Sequence, residues 1–258
     1  MTKQSSNEVR IQDFFREVEI DYFFVAVLLV SLLPTKGKLR LCIDRTEWDF
    51  GSCQVNMLMV IAGKDSMQVP LYWELLDNKS GNSSSQDRID LIKLCLKILG
   101  KKRIGLVIGD REFVSHKWIK FLKDNDLLFV MRLPKPHLIH RLDGQELSLQ
   151  ELTLPAGQAL LLKDCLVDGV WGQVWVKALA DGDFLFLFGT ARVDFLGQLY
   201  QRRWTIETVF HTFKERGFDL EKSHVKSLSK LKKLIALVSI AYSMCISMAC
   251  IYIKKYKR

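Results

Sequence analysis

Three acidic residues stand out by what precedes and surrounds them. Asp44 closes the apolar run Leu39-Arg-Leu-Cys-Ile-Asp44, and Asp110 closes Arg103-Ile-Gly-Leu-Val-Ile-Gly-Asp110. An acid directly after such a run predicts a carboxylate at the end of a strand, because an unpaired charge inside the core is expensive. Either aspartate alone reads more readily as a loop cap or a surface ion pair. Two of them at the ends of strands that can be neighbours point to a shared site. Glu207 lies in Leu199-Tyr-Gln-Arg-Arg-Trp-Thr-Ile-Glu-Thr-Val-Phe-His-Thr-Phe-Lys214. At about 100° per residue, Tyr200, Arg203, Glu207 and Lys214 fall within roughly a 60° arc of one helix. His211 is adjacent to that arc. Leu199, Ile206, Phe210 and Phe213 form the neighbouring apolar stripe that would anchor the helix on a sheet. Read in isolation, the segment also fits a solvated helix face with an i,i+4 Arg–Glu pair.

The residue types belong together chemically. Carboxylates are hard oxygen ligands suited to Mg²⁺, or to Mn²⁺ as a substitute. Two such ions, roughly 3.5–4 Å apart, can clamp the attacking and leaving oxygens of a phosphodiester displacement. Arg203, Lys214 and the arginines that follow each aspartate, Arg45 and Arg111, are candidates to hold flanking phosphates, as is His211. Tyr200 can hydrogen-bond a phosphate oxygen.

The elements that must position these groups are legible in outline. Residues 11–33 read as helix, closed by a turn at Pro34–Gly37. Leu39–Asp44, Gln54–Ile61 and Gln68–Leu75 read as three strands of an antiparallel meander, with a turn at Gly63–Asp65. After a polar loop from Asp77 to Ser85, Ser83 and Gln86 form a plausible capping box for a helix ending at Gly100. A strand to Gly109, a helix over His116–Asp124 and a strand over Leu127–Arg132 then alternate, which predicts parallel pairing. From His137 to Thr190 short β-like runs appear at Ala159–Cys165, Gly172–Ala178 and Phe184–Phe188. Turn dipeptides at Asp143-Gly144, Asp168-Gly169 and Asp181-Gly182 separate them. Helix resumes over about 194–216 and again over about 227–253. Residues 1–10 read only as a mobile tail.

Composition narrows the classes. Hydrophobic residues make up 48% of the 258, which excludes a disordered chain. The net charge of +9 favours polyanionic partners, because phosphate contacts release counterions. The six cysteines form no CxxC pair and accompany no histidine cluster, so a zinc site is disfavoured and buried free thiols are expected. That usage fits a reducing cytoplasm. No signal peptide opens the chain. Leu234–Ile253 carries no charge and is flanked by lysines, so by hydropathy it reads either as a transmembrane helix or as a core helix that is apolar all round.

The spacing of Tyr200, Arg203, Glu207 and Lys214 matches the Tyr-Arg-Glu-Lys signature of a large group of bacterial insertion-sequence transposases. Asp44-Arg-Thr-Glu-Trp48 resembles that group's first-aspartate motif, and Gly109-Asp110-Arg-Glu-Phe113 resembles its second. The resemblance covers about residues 38–220. It implies an α/β fold: a ribonuclease-H-like mixed sheet flanked by helices, with an inserted small β module and a C-terminal apolar helix. The expected division is a helical segment at 1–37, the first part of the core at 38–133, the β insertion at 134–190 and the second part of the core at 191–258. The resemblance implies metal-dependent cleavage of transposon ends followed by strand transfer. Asp44, Asp110 and Glu207 would bind two ions, and Tyr200, Arg203 and Lys214 would contact DNA near the cut. In some relatives a tryptophan of the β insertion stacks on a flipped base. Trp175 and Trp171 are the candidates, although core packing of a β module explains them as well. The implied partners are transposon-end and target DNA, with a homodimer in the synaptic complex, no membrane and a cytoplasmic location. Only 43 residues precede Asp44, which leaves the DNA-recognition region of the group shortened. Three rival readings follow: a remnant that binds DNA without transposing, a membrane-anchored protein using 234–253, and another nuclease built on the same core.

Overall fold

The computed structural model describes residues 3–33, 35–50, 53–64, 67–76, 81–190, 193–215, 217–225 and 227–256. The predicted turns at Pro34 and at Asp65, and the loop at 77–80, lie outside these residues. Helices α1 (Lys3–Glu17) and α2 (Tyr22–Ser31) come first. The single helix expected over 11–33 is therefore two, and the residues expected as a tail are largely the start of α1. The break has a local cause. Asp21 caps α2, accepting hydrogen bonds from the backbone N–H of Phe23 at 2.8 Å and of Phe24 at 3.3 Å.

Strands β1 (Leu39–Phe50), β2 (Cys53–Lys64) and β3 (Met67–Leu76) form the antiparallel meander. Helix α3 (Ser85–Leu99) leads to β4 (Ile104–Gly109), and α4 (His116–Asp124) leads to β5 (Phe129–Arg132). The capping box of α3 lies one residue later than the sequence suggested. Ser84 Oγ accepts from Asp87 N–H at 3.1 Å and Asp87 Oδ2 accepts from Ser84 N–H at 2.7 Å. Ser83 instead accepts from buried Arg88 Nε at 2.9 Å. Both β1–β4 and β4–β5 are parallel.

The segment after β5 supplies β6 (Leu138–Arg141), β7 (Glu146–Ser148), β8 (Ala159–Val167), β9 (Val170–Ala178) and β10 (Phe184–Gly189). The β6–β7 hairpin escaped the sequence reading, because its strands are only four and three residues long. The five strands continue the core sheet. β10 pairs antiparallel with β5, which gives one ten-stranded sheet in the order β3-β2-β1-β4-β5-β10-β9-β8-β6-β7.

Two apolar clusters sandwich the central strands. Leu41, Ile43 and Val107 face α3 and α4, while Cys42, Leu106 and Ile108 face the C-terminal helices α5 (Leu196–Gln201), α6 (Trp204–Lys214) and α7 (Leu228–Tyr256). Strand side chains alternate between faces, so this pattern also fixes where the residues just beyond must point. Helix α6 is anchored by Ile206, Val209 and Phe213, none of which is exposed. Burial of each such side chain contributes about 1.5–3 kcal/mol. Leu228–Ile253, within α7, is long and apolar enough to cross a membrane by length and composition. One face of its first half is core: Leu231, Ile235, Ala236, Ser239 and Ser243 are buried, while Leu237 in that half and Met244, Met248, Ile251 and Tyr252 further along are exposed. Cys42, Cys95 and Cys165 are buried free thiols, Cys250 is buried beside Met67, and Cys245 is exposed.

Candidate active site

The register of the parallel strands sets three chemical groups in a row. Ile43 pairs with Gly109, and Gly109 pairs with Met131. The next residue on each strand is Asp44, Asp110 and Arg132. Adjacent strands lie about 4.8 Å apart, so the two carboxylates stand abreast where β4 and β5 end. Asp44 shares the parity of Cys42, and Asp110 that of Ile108, so both project toward the face covered by α5 and α6. Each is fixed by the backbone that follows it. Asp44 Oδ1 accepts from Arg45 N–H at 2.9 Å, and Asp110 Oδ1 accepts from Arg111 N–H at 2.7 Å.

The third carboxylate arrives on a different path. A single helix was expected over 194–216, but the structure breaks it at Arg202 and Arg203 into α5 and α6. The break is a tightened turn held by Arg202 N–H to Leu199 O at 3.1 Å and Arg203 N–H to Tyr200 O at 2.9 Å. Tyr200 therefore ends up on one helix and Glu207 on the first turn of the next. Tyr200 Oη donates to Asp110 Oδ1 at 3.0 Å. Arg203 Nη1 donates to Asp44 Oδ2 at 2.8 Å and lies 4.0 Å from Asp110 Oδ2. Its Nη2 donates to Glu207 Oε1 at 2.5 Å. One guanidinium, its side chain only 10% exposed, gathers all three carboxylates. Arg132 adds a second cation, 3.9 Å from Asp110 Oδ1.

Electrostatics follow from this geometry. Burial pushes the Asp44 carboxyl up to about 7. Arg203 and the Arg45 N–H oppose that rise, while Asp110 and Glu112 add to it. For Arg203, burial acts against its charge, yet Tyr200, Asp44, Asp110 and Glu207 together raise it above the ordinary arginine value. Burial, and then the Asp110 charge, push Tyr200 up as well, so its hydroxyl stays a proton donor.

The donor set suits a hard divalent cation. Three carboxylates surround one guanidinium, and their oxygens are the ligand type that Mg²⁺ and Mn²⁺ prefer. Among the described residues no three Asp, Glu, His or Cys side chains are already spaced to enclose an ion. Arg203 lies between the three acids, so the residues fit the ion by chemistry with a guanidinium as their present counter-charge.

The model of one protein family, the transposase DDE domain, matches residues 36–244. The chain belongs to the DDE transposase family. No curated protein sequence matches it. A piggyBac transposase in a synaptic complex with hairpin DNA has a similar fold, at TM-score 0.51 and 10% identity over 83% of this chain. This chain covers 50% of that one, so it spans half the length of the piggyBac protein. More distant are an endonuclease V from Bacillus subtilis and an intasome of simian T-cell lymphotropic virus bound to a PP2A regulatory subunit. Their TM-scores are 0.31 and 0.27, both at 13% identity, covering 78% and 40% of this chain and 81% and 36% of theirs.

The other residues singled out from sequence are dispersed around the DDE domain. Lys214 does not join the three acids. Its Nζ donates to Glu47 O at 2.8 Å and lies 3.5 Å from Glu221. Arg45 has the opposite parity to Asp44 and engages Glu47, Asn56 and Glu112. Arg111 has an exposed side chain beside Asp110. His211 Nδ1 lies 3.3 Å from Glu215 Oε2. Trp171 is 42% exposed on β9. Trp175 is half-buried against α5, where a Cβ on Gly197 would meet its ring at 2.6 Å. Sequence reading missed Arg132 and Glu112. The signal for Arg132 was there, since it ends an apolar strand as Asp110 does. Arginine after a strand is common enough to pass unnoticed.

Proposed function

We propose that this DDE domain catalyses metal-dependent cleavage of transposon-end DNA and transfer of the freed 3′-OH to target DNA, as in cut-and-paste transposition. The carrying observation is the convergence of Asp44, Asp110 and Glu207 on Arg203. Family membership supplies the reaction class. The order β3-β2-β1-β4-β5, with β1, β4 and β5 parallel, supports a ribonuclease-H-like core. The Tyr200, Arg203, Glu207 and Lys214 spacing supports the insertion-sequence group that carries that signature.

In this reading Asp44, Asp110 and Glu207 are the metal ligands for two Mg²⁺ or Mn²⁺ ions. Such ions would polarise the phosphoryl oxygen and stabilise the attacking and leaving oxygens. The protein's own part is positioning. Tyr200 orients Asp110 through its hydroxyl. Arg203 keeps three like charges together, and its planar fork matches two oxygens of a phosphate. Arg132, beside Asp110, offers a further phosphate contact. Basic side chains across a chain of net charge +9 favour the DNA backbone. Two ends must be brought together, so we place two copies of the chain in the working complex and the protein in the cytoplasm. The buried face of the first half of α7 supports a core helix over a membrane anchor.

Cleavage of end-bearing duplex DNA in Mn²⁺ tests the reading. Wild-type chain should nick at the element end, and Asp110→Ala should not. Equal behaviour of the two folded proteins would remove the catalytic claim.

A further inference from the structure

Backbone pairing between the two aspartate-bearing segments stops early. The last pair of the β1–β4 ladder is Ile43 with Gly109, one residue before Asp44 and Asp110. Beyond it β1 continues with β2 alone, and the chain after Asp110 turns away through Arg111–Phe113. The ladder sets the two aspartates abreast but makes no backbone bond at their own positions. A side-chain bridge stands at this point. Arg45 Nε and Nη2 donate to Glu112 Oε2 at 3.4 and 3.3 Å. Arg45 follows Asp44, and Glu112 lies two residues after Asp110.

We propose that the Arg45–Glu112 pair is a positioning bridge that holds Asp44 and Asp110 at one separation, from the face of the sheet opposite Arg203. The inference rests on reading the two aspartates as metal ligands. Four observations support it. Arg45 is fully engaged: its remaining nitrogen, Nη1, donates to Glu47 Oε1 at 2.6 Å and to Asn56 Oδ1 at 3.2 Å. The pair is enclosed, with the side chains 15% and 20% exposed, so it is less screened than a surface pair. A fixed second cation stands near: Arg88, stacked over Phe113 at 4.9 Å and held by Ser83, lies within electrostatic reach of Glu112. Glu112 Oε1 is buried without a hydrogen-bond partner among the described residues. A half-satisfied buried carboxylate is costly in a purely structural role. An arginine with every guanidinium nitrogen in use is a poor phosphate contact, so Arg45 acts through Asp44 rather than on DNA.

The full-length chain provides the test, in three measurements: Mn²⁺ affinity by titration calorimetry without DNA, duplex affinity in EDTA, and thermal melting by circular dichroism. Removing a residue that orients a metal ligand typically weakens metal binding about 10–100-fold. Glu112→Ala should show that loss with unchanged duplex affinity. Glu112→Gln keeps an acceptor for Arg45 and should recover most of the Mn²⁺ affinity. Should the alanine variant fail to fold, Arg45→Lys replaces it: a single ammonium cannot span Glu47 and Glu112, and Mn²⁺ affinity should again fall. Wild-type Mn²⁺ affinity in these variants, or duplex affinity lost in Arg45→Lys with Mn²⁺ binding intact, overturns the bridge. Asp110→Ala separates the two claims. If it binds Mn²⁺ as wild type does, the metal-ligand reading fails and takes the bridge with it. If it loses Mn²⁺ while Glu112→Ala does not, only the bridge fails.

Discussion

Arg203 Nη1 lies 2.8 Å from Asp44 Oδ2, a contact between residues 159 positions apart in sequence. It joins the turn between α5 and α6 to the point on β1 where its pairing with β4 stops. The same guanidinium holds Glu207, so removing it leaves three carboxylates facing one another, with Asp44 the most enclosed. Breaking a buried pair by deleting one partner costs about 3–5 kcal/mol. Arg203→Gln is expected to lower the melting temperature in EDTA at neutral pH. Mn²⁺ should then raise it more than it raises the wild type, since the ion takes over the counter-charge. Identical melting curves with and without Mn²⁺ for both proteins would show that Arg203 does not hold these acids together.

Asp44 carries a pH dependence of definite sign. Its carboxyl is pushed up to about 7, burial being the largest cause, from an ordinary value of 3.8. Between those values the folded chain binds more protons than the unfolded one. The contribution of Asp44 to stability is therefore greatest at low pH and falls as pH rises from about 4 to about 7. A shift of this size corresponds to a few kcal/mol at most, on the order of 1.4 kcal/mol per unit. In EDTA, Asp44→Asn should lack this slope, so its stability advantage over wild type grows across that window. A constant gap from pH 4 to pH 7 would contradict it. If Asp44 holds the proposed ion, metal affinity should run the other way and climb as Asp44 ionises near pH 7.

Tyr200 donates to Asp110 at 3.0 Å, and Asp110 also keeps its bond from Arg111 N–H. Tyr200→Phe removes one hydrogen bond to a charged group, worth about 1.5–3 kcal/mol. If that bond orients Asp110 for catalysis, cleavage should slow by roughly ten-fold or more while duplex affinity in EDTA stays the same. Loss of affinity with unchanged turnover at saturating DNA would instead make Tyr200 a DNA contact.

The strands leading to Asp44 and Asp110 were legible from their apolar runs, but β1 does not end at Asp44 as expected: pairing with β2 carries it on to Phe50. The parallel pairing of β4 with β5 was legible from the alternation of strand and helix around α4; that β1 also runs parallel to β4 was not. What sequence could not give was the direction of approach of Glu207. A helical wheel put Tyr200, Arg203, Glu207 and Lys214 on one arc. The actual chain tightens at Arg202 and Arg203, which sends Tyr200 to Asp110 and leaves Lys214 with Glu47. That turn depends on tertiary contacts of α5, which no periodicity records. The same applies to Arg132, whose place in the row with Asp44 and Asp110 follows from sheet register alone.

Arg132 offers the clearest separation of binding from chemistry. It lies 3.9 Å from Asp110, farther than a hydrogen bond, with its side chain 29% exposed. If it contacts one phosphate, Arg132→Ala should weaken duplex binding and reduce the salt dependence of the affinity by about one counterion. Arg132→Lys should restore the salt slope, because the charge returns, and only part of the affinity, because the fork does not. An unchanged slope in Arg132→Ala would assign this arginine to the structure of the strand end alone.

Gly197 shows how the inserted strands reach the site. The ring of Trp175, on β9, packs against the backbone of α5 so closely that a Cβ at Gly197 would lie 2.6 Å from it. Alanine is ordinarily the better helix residue, by about 1 kcal/mol. Here the clash should outweigh that gain, since overpacking costs about 1–3 kcal/mol. Gly197→Ala should lower the melting temperature, and it should lower cleavage further than stability explains, because α5 also carries Tyr200. Adding Trp175→Leu should relieve the clash and return part of both. If Gly197→Ala instead raises stability, Trp175 is free to move away from α5. Its ring would then be available for a base, which is the role that its packing against the helix argues against.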